Sequence, residues 1–138
     1  MKRILLLIVL VSVFSCKQKI TEAHLSNLNG YWEIEKVELP DGDKKEYKVN
    51  ETIDFFKIEA NKGFRKKVMP QLDGTYLTND IQEDVVVVVK DGDALLQYKT
   101  KYASWKEEII ELTKDKLVVK NQQEIEYYYK RPAKFSVK

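Results

Sequence analysis

The sequence predicts an all-β fold, a small up-and-down antiparallel β-barrel of about eight or nine strands. Three observations favour it: short segments rich in β-branched and aromatic residues, turn signals between consecutive segments, and a two-residue Asp91-Gly92 loop between two apolar runs. A two-sheet sandwich is the alternative architecture, but its crossovers usually need longer connections than these. Closure into a barrel also removes exposed strand edges.

The opening segment has the features of a secretory signal. Two basic residues precede an apolar run over residues 4–14, which is too short to cross a bilayer as a helix. The run ends in Val13-Phe14-Ser15-Cys16, which resembles the lipobox of bacterial lipoproteins, where cleavage before the cysteine leaves its thiol carrying a diacylglycerol. We therefore expect residues 1–15 to be a lipoprotein signal peptide and Cys16 to be the lipidated residue.

The anchor also predicts a location. Cys16 is the single cysteine of the chain, and lipidation would remove the risk that an exported free thiol pairs with another molecule. Lys17 rather than an aspartate follows it, which by resemblance to enteric lipoproteins favours sorting to the outer membrane. We expect the protein in the bacterial cell envelope, held to the membrane by its lipid and facing the periplasm.

A polar segment follows the cysteine. We expect residues 16–27 to form a lipidated tether, with short-helix character over Thr21–Asn29. The single histidine, His24, lies in this segment, where we expect it to be an exposed spacer. The folded domain is expected over residues 28–132, with residues 133–138 as a C-terminal tail.

Strand signals then follow one another along the domain, separated by Gly, Pro, Asn and Asp. Alternation places Ala94, Leu96 and Tyr98 on one face of their strand, and Tyr127 and Tyr129 on one face of the last. The predicted strands are Gly30–Leu39, Ile53–Ala60, Phe64–Val68, Thr75–Thr78, Val85–Lys90, Ala94–Tyr102, Trp105–Thr113, Leu117–Lys120 and Glu124–Arg131.

The run of five valines over Val85–Val89 puts apolar groups on both faces of one strand. One face would enter the barrel, and the other would need a cover. At an open sheet edge such a window would invite aggregation, so the run supports closure.

Charge and composition exclude several functions. Lys and Arg number 24 and Asp and Glu 22, and the two basic residues of the signal are the whole excess. A balanced mature chain predicts no nucleic-acid partner. With one histidine and one cysteine, the sequence excludes a His/Cys metal site, and it contains no phosphate-binding loop. Because the single histidine lies in the expected tether, we expect no Ser-His-Asp triad either. We expect neither a cofactor nor enzymatic activity.

The adjacent carboxylates do not change this expectation. Glu107-Glu108 and Glu83-Asp84 are neighbours in sequence, and adjacent residues of a strand face opposite sides. They cannot act jointly as acid and base, and we expect them to be solvated charges.

Leu28-Asn29-Gly30-Tyr31-Trp32 opens the first strand and is similar to the Gly-x-Trp signature of lipocalins and bacterial lipocalin-like lipoproteins. The resemblance covers about residues 28–132 and includes Ile110–Val119, which resembles the family's penultimate hairpin. It implies that Trp32 closes one end of the barrel and that Arg131, at the end of the last strand, packs over it. The chain departs from true lipocalins, because it has no clear Thr-Asp-Tyr motif and no long helix after the last strand.

These observations leave two functions open. The first is non-enzymatic binding of a small apolar or amphipathic molecule inside the barrel. The residues expected to line it are Phe56, Ile58, Leu96, Tyr98, Tyr127 and Tyr129. The second is a filled barrel that binds a protein, as an envelope enzyme inhibitor or assembly factor, through the connections Lys66–Asp73 and Thr78–Asp84. The sequence does not decide whether the barrel is hollow or filled.

Overall fold

The computed structural model describes residues 17–133, apart from the side chain of Asp80. Cys16 and the predicted signal peptide lie outside the described residues, as do residues 134–138. A 3₁₀ helix spans Glu22–Leu28, and nine strands follow it. The strands are β1 (Gly30–Glu38), β2 (Lys44–Glu46), β3 (Ile53–Glu59), β4 (Lys62–Pro70), β5 (Tyr76–Lys90), β6 (Asp93–Lys99), β7 (Ser104–Leu112), β8 (Lys116–Asn121) and β9 (Glu126–Lys130).

Eight of these strands form a closed antiparallel barrel, which confirms the predicted fold class. Strands β3 to β9 each pair with their neighbour in the chain. Strand β1 closes the ring, pairing with β3 through Gly30–Trp32 and with β9 through Glu33–Glu38. The short β2 pairs only with the end of β1 and lies outside the ring. It was not predicted, because its three residues are all charged.

The two ends of the barrel differ. At the closed end β1 begins, β9 ends, and the 3₁₀ helix lies across the opening. The open end is formed by the turns after β4, β6 and β8. Inward-facing residues of the strands fill the closed half as one apolar cluster that includes Trp32, Leu96 and Ile109, all fully buried.

The Asp91-Gly92 hairpin is confirmed. Val89 pairs with Ala94 and Lys90 with Asp93, so two residues make the reversal. Asp91 has φ +54° and Gly92 has φ +82°. Positive φ at both central residues is the type I′ geometry that matches strand twist, which explains the choice of Asp and Gly.

The chain between Lys66 and Asp84 differs from the prediction. The connections expected over Lys66–Asp73 and Thr78–Asp84 are largely strand. They form the paired ends of β4 and β5, with Val68 opposite Thr78 and Pro70 opposite Tyr76. Two predicted strands, Thr75–Thr78 and Val85–Lys90, are therefore parts of one. Polar residues dominate Thr78–Asp84, so the ladder to β4, rather than local propensity, extends the strand. We call residues 66–82 the arm.

The predicted tether is also wrong from Gln18 onward. The side chain of Gln18 exchanges two hydrogen bonds with the main chain of Leu112, at 3.1 and 2.8 Å. Ile20 and Leu25 are buried in the core cluster, and Ile20 N–H donates to the Gly92 carbonyl. The polar composition hid these apolar contacts. Residues 18–28 therefore lie across the closed end, and we call them the strap.

Within this strap the predicted short helix is present over Glu22–Leu28. His24 is not a free spacer, because its Nδ1 accepts a hydrogen bond from the Thr21 main-chain N–H at 3.1 Å. This is the reciprocal half of a helix-capping arrangement, in which a side chain three residues in satisfies the cap residue.

The valine run divides as alternation requires. Val85 and Val87 are buried in the barrel, whereas Val86 and Val88 lie on the outer face and stay partly exposed. The outward cover expected for them is therefore incomplete. Among residues 17–133 no helix is both long and apolar enough to span a membrane.

Candidate functional site

The closed end is sealed by an arginine on a tryptophan, as predicted. The Arg131 guanidinium carbon lies 3.6 Å from the centroid of the Trp32 ring. The same guanidinium donates to the carbonyls of Asn27, Tyr31 and Lys114. The Trp32 indole N–H donates in turn to the Leu28 carbonyl at 2.9 Å. This end of the barrel is filled and offers no room for a ligand.

The six residues predicted to line a ligand site all face the barrel interior but do not form one site. Phe56, Ile58 and Leu96 are buried in the packed core. Tyr127 and Tyr129 line cavities at the open end. Tyr98 is also fully buried, and its ring stacks on Trp105 with centroids 5.4 Å apart. The barrel is thus filled in one half and open in the other.

At the open end, two adjoining cavities of about 340 and 310 Å³ share Lys67, Tyr127 and Tyr129. A third, of about 550 Å³, shares Trp105, Lys106 and Gln122 with the first. We call the first two the mouth. Its lining combines aromatic rings, amides and charged groups. The other residues of the larger cavity are Arg65, Trp105, Lys106, Glu107, Asn121, Gln122 and Gln123.

A layer of charged residues forms the floor of the mouth. Arg65 donates to both carboxylate oxygens of Glu83, from Nε at 3.0 Å and from Nη2 at 2.8 Å. Its guanidinium carbon lies 4.2 Å from the centroid of the Tyr98 ring. Lys67 Nζ lies 2.5 Å from the buried Asp54 carboxylate.

Glu107 completes this layer, beside the Tyr98 hydroxyl and with Arg65 as its more distant cation. Its side chain faces inward beside the apolar Ile109, and Arg65 Nη1 is 3.6 Å from Glu107 Oε1. Neither Glu107 Oε1 nor the Tyr98 hydroxyl has a hydrogen-bond partner among residues 17–133. The expectation that Glu83 and Glu107 are solvated charges is therefore wrong, because both project into the barrel.

This layer was not predicted, because charged residues were assigned to the surface. The alternation of the strands does indicate it. Each charged residue of the layer is two positions from an inward-facing residue of the same strand, and so also faces inward. The pairs are Arg65 with Gly63, Glu83 with Val85, and Glu107 with Ile109. A charged residue at an inward position of a barrel strand indicates a polar interior.

Burial shifts the pKa of three groups around the mouth, Glu107, Tyr98 and Tyr129. It raises the pKa of the Glu107 carboxyl above its ordinary value, an effect that the attraction of Arg65 only partly offsets. It also raises the pKa of the Tyr98 and Tyr129 hydroxyls, so both stay protonated at neutral pH. Residues 17–133 contain no cluster of three or more His, Cys, Asp or Glu that could hold a metal ion.

The raised pKa predicts that Glu107→Gln stabilises the fold at neutral pH. A group whose folded pKa is raised contributes stability below its unfolded pKa, and this contribution is lost as pH rises through the folded pKa. A neutral isostere does not suffer that loss, so we expect a gain of about 1 kcal/mol at pH 7. The gain should shrink as pH falls through the raised folded pKa and should be lost below about 4, where the carboxyl is neutral in both the folded and the unfolded state. Urea denaturation at both pH values measures it. A less stable variant at pH 7 would mean that Arg65 outweighs burial.

A further cavity of about 490 Å³ lies on the outer face beside the arm. It is lined mainly by loop and arm residues, among them Val49, Pro70, Tyr76 and Pro132. The Tyr76 ring stacks on Tyr31 with centroids 4.1 Å apart, which holds the arm against the barrel. Because the buried charged groups converge at the mouth and not here, the mouth is the candidate site.

Comparisons with known proteins agree with this architecture. The sequence matches the lipocalin-like domain family over residues 28–119. The fold is similar to the crystal structure of a lipocalin-like protein from Bacteroides uniformis, with 12% identity and a TM-score of 0.50, covering 77% of this chain and 99% of that one. It is also similar to an uncharacterized protein from Bacteroides eggerthii, with 14% identity and a TM-score of 0.50, covering 76% and 99%. No curated protein matches the sequence.

Proposed function

The chain belongs to the lipocalin-like domain family, and we propose on that premise that it is a lipid-anchored, non-enzymatic binding domain of the bacterial cell envelope. It would hold a small amphipathic molecule at the mouth of the barrel. The observation that carries the proposal is the contrast between the two ends. The closed half is packed with apolar side chains, whereas the open half contains adjoining cavities.

The lining of the mouth favours an amphipathic ligand over a purely apolar one. Trp105, Tyr127 and Tyr129 offer ring faces. Glu107 and the amides of the larger cavity offer hydrogen-bonding groups beside them. A purely apolar molecule would cover these polar groups without pairing them, which costs free energy. A volume of about 340 Å³ is at the lower end of small-molecule sites, so the ligand is small.

A binding role rather than catalysis is supported by the state of the titratable groups. His24 caps the 3₁₀ helix at the closed end, away from the mouth. Glu83 is held by Arg65 and Asp54 by Lys67. General acid–base catalysis needs a group free to exchange a proton with substrate; Asp54 and Glu83 are committed to ion pairs, which leaves Glu107, among the described residues, as the one carboxyl of the mouth without a close cation.

Lipid anchoring predicts that Cys16→Ser releases the protein from membranes. The motif ending in Cys16 supplies the only thiol of the chain, so the variant has no acceptor for a diacylglycerol. We expect nearly all of the protein to move from the membrane to the soluble fraction, with loss of labelling by a fatty-acid analogue. Ser15→Ala, which keeps a small residue before the cysteine, is the control. A Cys16→Ser protein that is labelled and sediments with membranes would contradict the anchor.

Native mass spectrometry of the protein purified from its own envelope tests ligand binding. We expect a mass increment of a few hundred daltons that disappears on denaturation. Trp105→Ala should abolish this mass increment, because Trp105 lines the mouth. Trp32 is not substituted in this test, because it is part of the packed core. An unmodified mass in every preparation would contradict the proposal.

A second candidate, binding of a protein partner, is favoured by one observation. The arm carries exposed apolar side chains, with Leu72 at 78% and Ile81 at 71% exposure, together with Met69 and Leu77. Such patches often mark interaction sites. An inhibitor or assembly factor would use the arm, and the same native spectra would then show a bound protein instead of a small molecule.

A further inference from the structure

The charges at the floor of the mouth do not balance. Three carboxylates face two cations there. Glu83 takes two hydrogen bonds from Arg65, and Asp54 lies 2.5 Å from Lys67 Nζ. Both cations are thus committed to the other two acids. Glu107 is the remaining charge, in contact with Arg65 Nη1 only at 3.6 Å, beyond hydrogen-bond distance.

This remaining carboxylate is buried yet reaches the cavity. The Glu107 residue is 7% exposed, lines the larger cavity of the mouth, and has an Oε1 without a hydrogen-bond partner among the described residues. An unsatisfied buried acceptor is costly, and a buried carboxylate that shares a distant counter-ion with a second acid is only partly compensated. Natural proteins keep such groups mainly where a ligand or a reaction uses them.

The surroundings of Glu107 suit a cation. Trp105, Tyr127 and Tyr129 line the same cavity, and the faces of aromatic rings attract positive charge. The Tyr127 hydroxyl already accepts a hydrogen bond from Asn121 Nδ2 at 3.3 Å, so the amide steadies one of these rings. A carboxylate among aromatic faces is a common way to bind an ammonium group.

We propose that the ligand of the mouth carries a protonated amine next to an apolar or aromatic group, and that the amine donates to Glu107 Oε1. This inference rests on the proposed function and names the ligand's chemical class. The amine supplies the missing hydrogen bond and a positive charge that Glu107 does not have to share with Glu83. Its apolar part lies against Trp105 and the tyrosines.

Two lysines at the mouth do not reverse this preference. Lys67 is paired with Asp54. Lys106 also lines the larger cavity, but as the strand neighbour of Glu107 its side chain leaves the strand on the outer face and is exposed. An anionic ligand would bring its charge next to Glu107, where Arg65 is already shared with Glu83. A cation meets the carboxylate of the layer whose ion pair is the longest.

The test uses two probes of equal size, phenethylamine and 2-phenylethanol, with isothermal titration calorimetry on purified protein. The amine is protonated at neutral pH and the alcohol is not. We expect the amine to bind the wild-type protein about tenfold more tightly or better, as a charge-assisted hydrogen bond requires. Glu107→Gln should remove that advantage and leave the alcohol unchanged.

Glu108→Gln is the matched control, because Glu108 is the next residue on the strand and its side chain pairs with Lys17 outside the barrel. It should leave both affinities unchanged. Equal binding of the two probes, unaffected by Glu107→Gln, would overturn the cationic ligand while leaving the mouth as a binding site. Binding of neither probe would overturn both this inference and the small-molecule function. Unfolding curves of each variant show that the fold is intact.

Discussion

Replacing Arg131 with alanine is expected to lower the free energy of unfolding by about 3–5 kcal/mol. The guanidinium donates to the carbonyls of Asn27, Tyr31 and Lys114 at 2.7, 3.0 and 2.8 Å and covers the Trp32 ring. Truncation leaves these carbonyls unpaired and uncovers the indole. Urea denaturation followed by tryptophan fluorescence measures the loss. Lys130→Ala, at an exposed neighbouring position, is the control and should change stability by no more than about 0.5 kcal/mol.

A double-mutant cycle separates the ring contact from the hydrogen bonds. Arg131→Lys keeps the charge but loses the planar group that lies flat on the indole and serves three carbonyls at once. When Arg131→Lys is combined with Trp32→Phe, we expect a coupling energy between the two substitutions of about 0.5–2 kcal/mol. Additive effects of the two substitutions would mean that the hydrogen bonds alone hold Arg131.

Gly63→Ala is expected to cost about 3 kcal/mol or more, and it should lower the yield of folded protein. A Cβ at this position would stand 1.7 Å from the Lys57 carbonyl oxygen and 2.9 Å from Ile58 Cα. Both are main-chain atoms of β3, which pairs with β4 at this point. Since neither can turn aside as a side chain can, the two strands must separate.

Gly42→Ala provides the comparison. Gly42 has φ +93°, but nothing lies within 4 Å of a Cβ built there. We expect a cost of about 1 kcal/mol from backbone conformation alone. If the two alanine variants were equally stable, the close approach of β3 and β4 at Gly63 would not be the reason for its glycine. Thermal unfolding monitored by circular dichroism gives both values.

The parts of the fold that local chemistry decides could be predicted from the sequence. Asp91-Gly92 specifies a two-residue turn because few other residues tolerate positive φ. Alternation placed Ala94, Leu96 and Tyr98 inside, because the side-chain period of a strand is two. The contact between Trp32 and Arg131 came from a resemblance to a family, not from local chemistry.

The rest depends on partners distant in sequence. The polar half of β5 is a strand because β4 pairs with it, and residues Thr78–Asp84 alone do not show that. Arg65 is buried because Glu83 neutralises it, and neither residue alone indicates burial. For the same reason the candidate site in the structure differs from the predicted one. Of the six predicted residues, Tyr127 and Tyr129 line the mouth, but Glu107 was assigned to the surface.

The seam between β1 and β9 has a consequence for the order of folding. Arg131 Nη2 bonds to the Asn27 carbonyl 104 positions away, whereas β3 to β9 each pair with a neighbour in the chain. Bringing distant segments together costs more chain entropy than forming nearby hairpins, so we expect the seam to form after the meander. The strap and the last strand both contribute to the closed end. A growing chain therefore cannot complete its core until its final strand has been synthesised, and the domain folds as one cooperative unit.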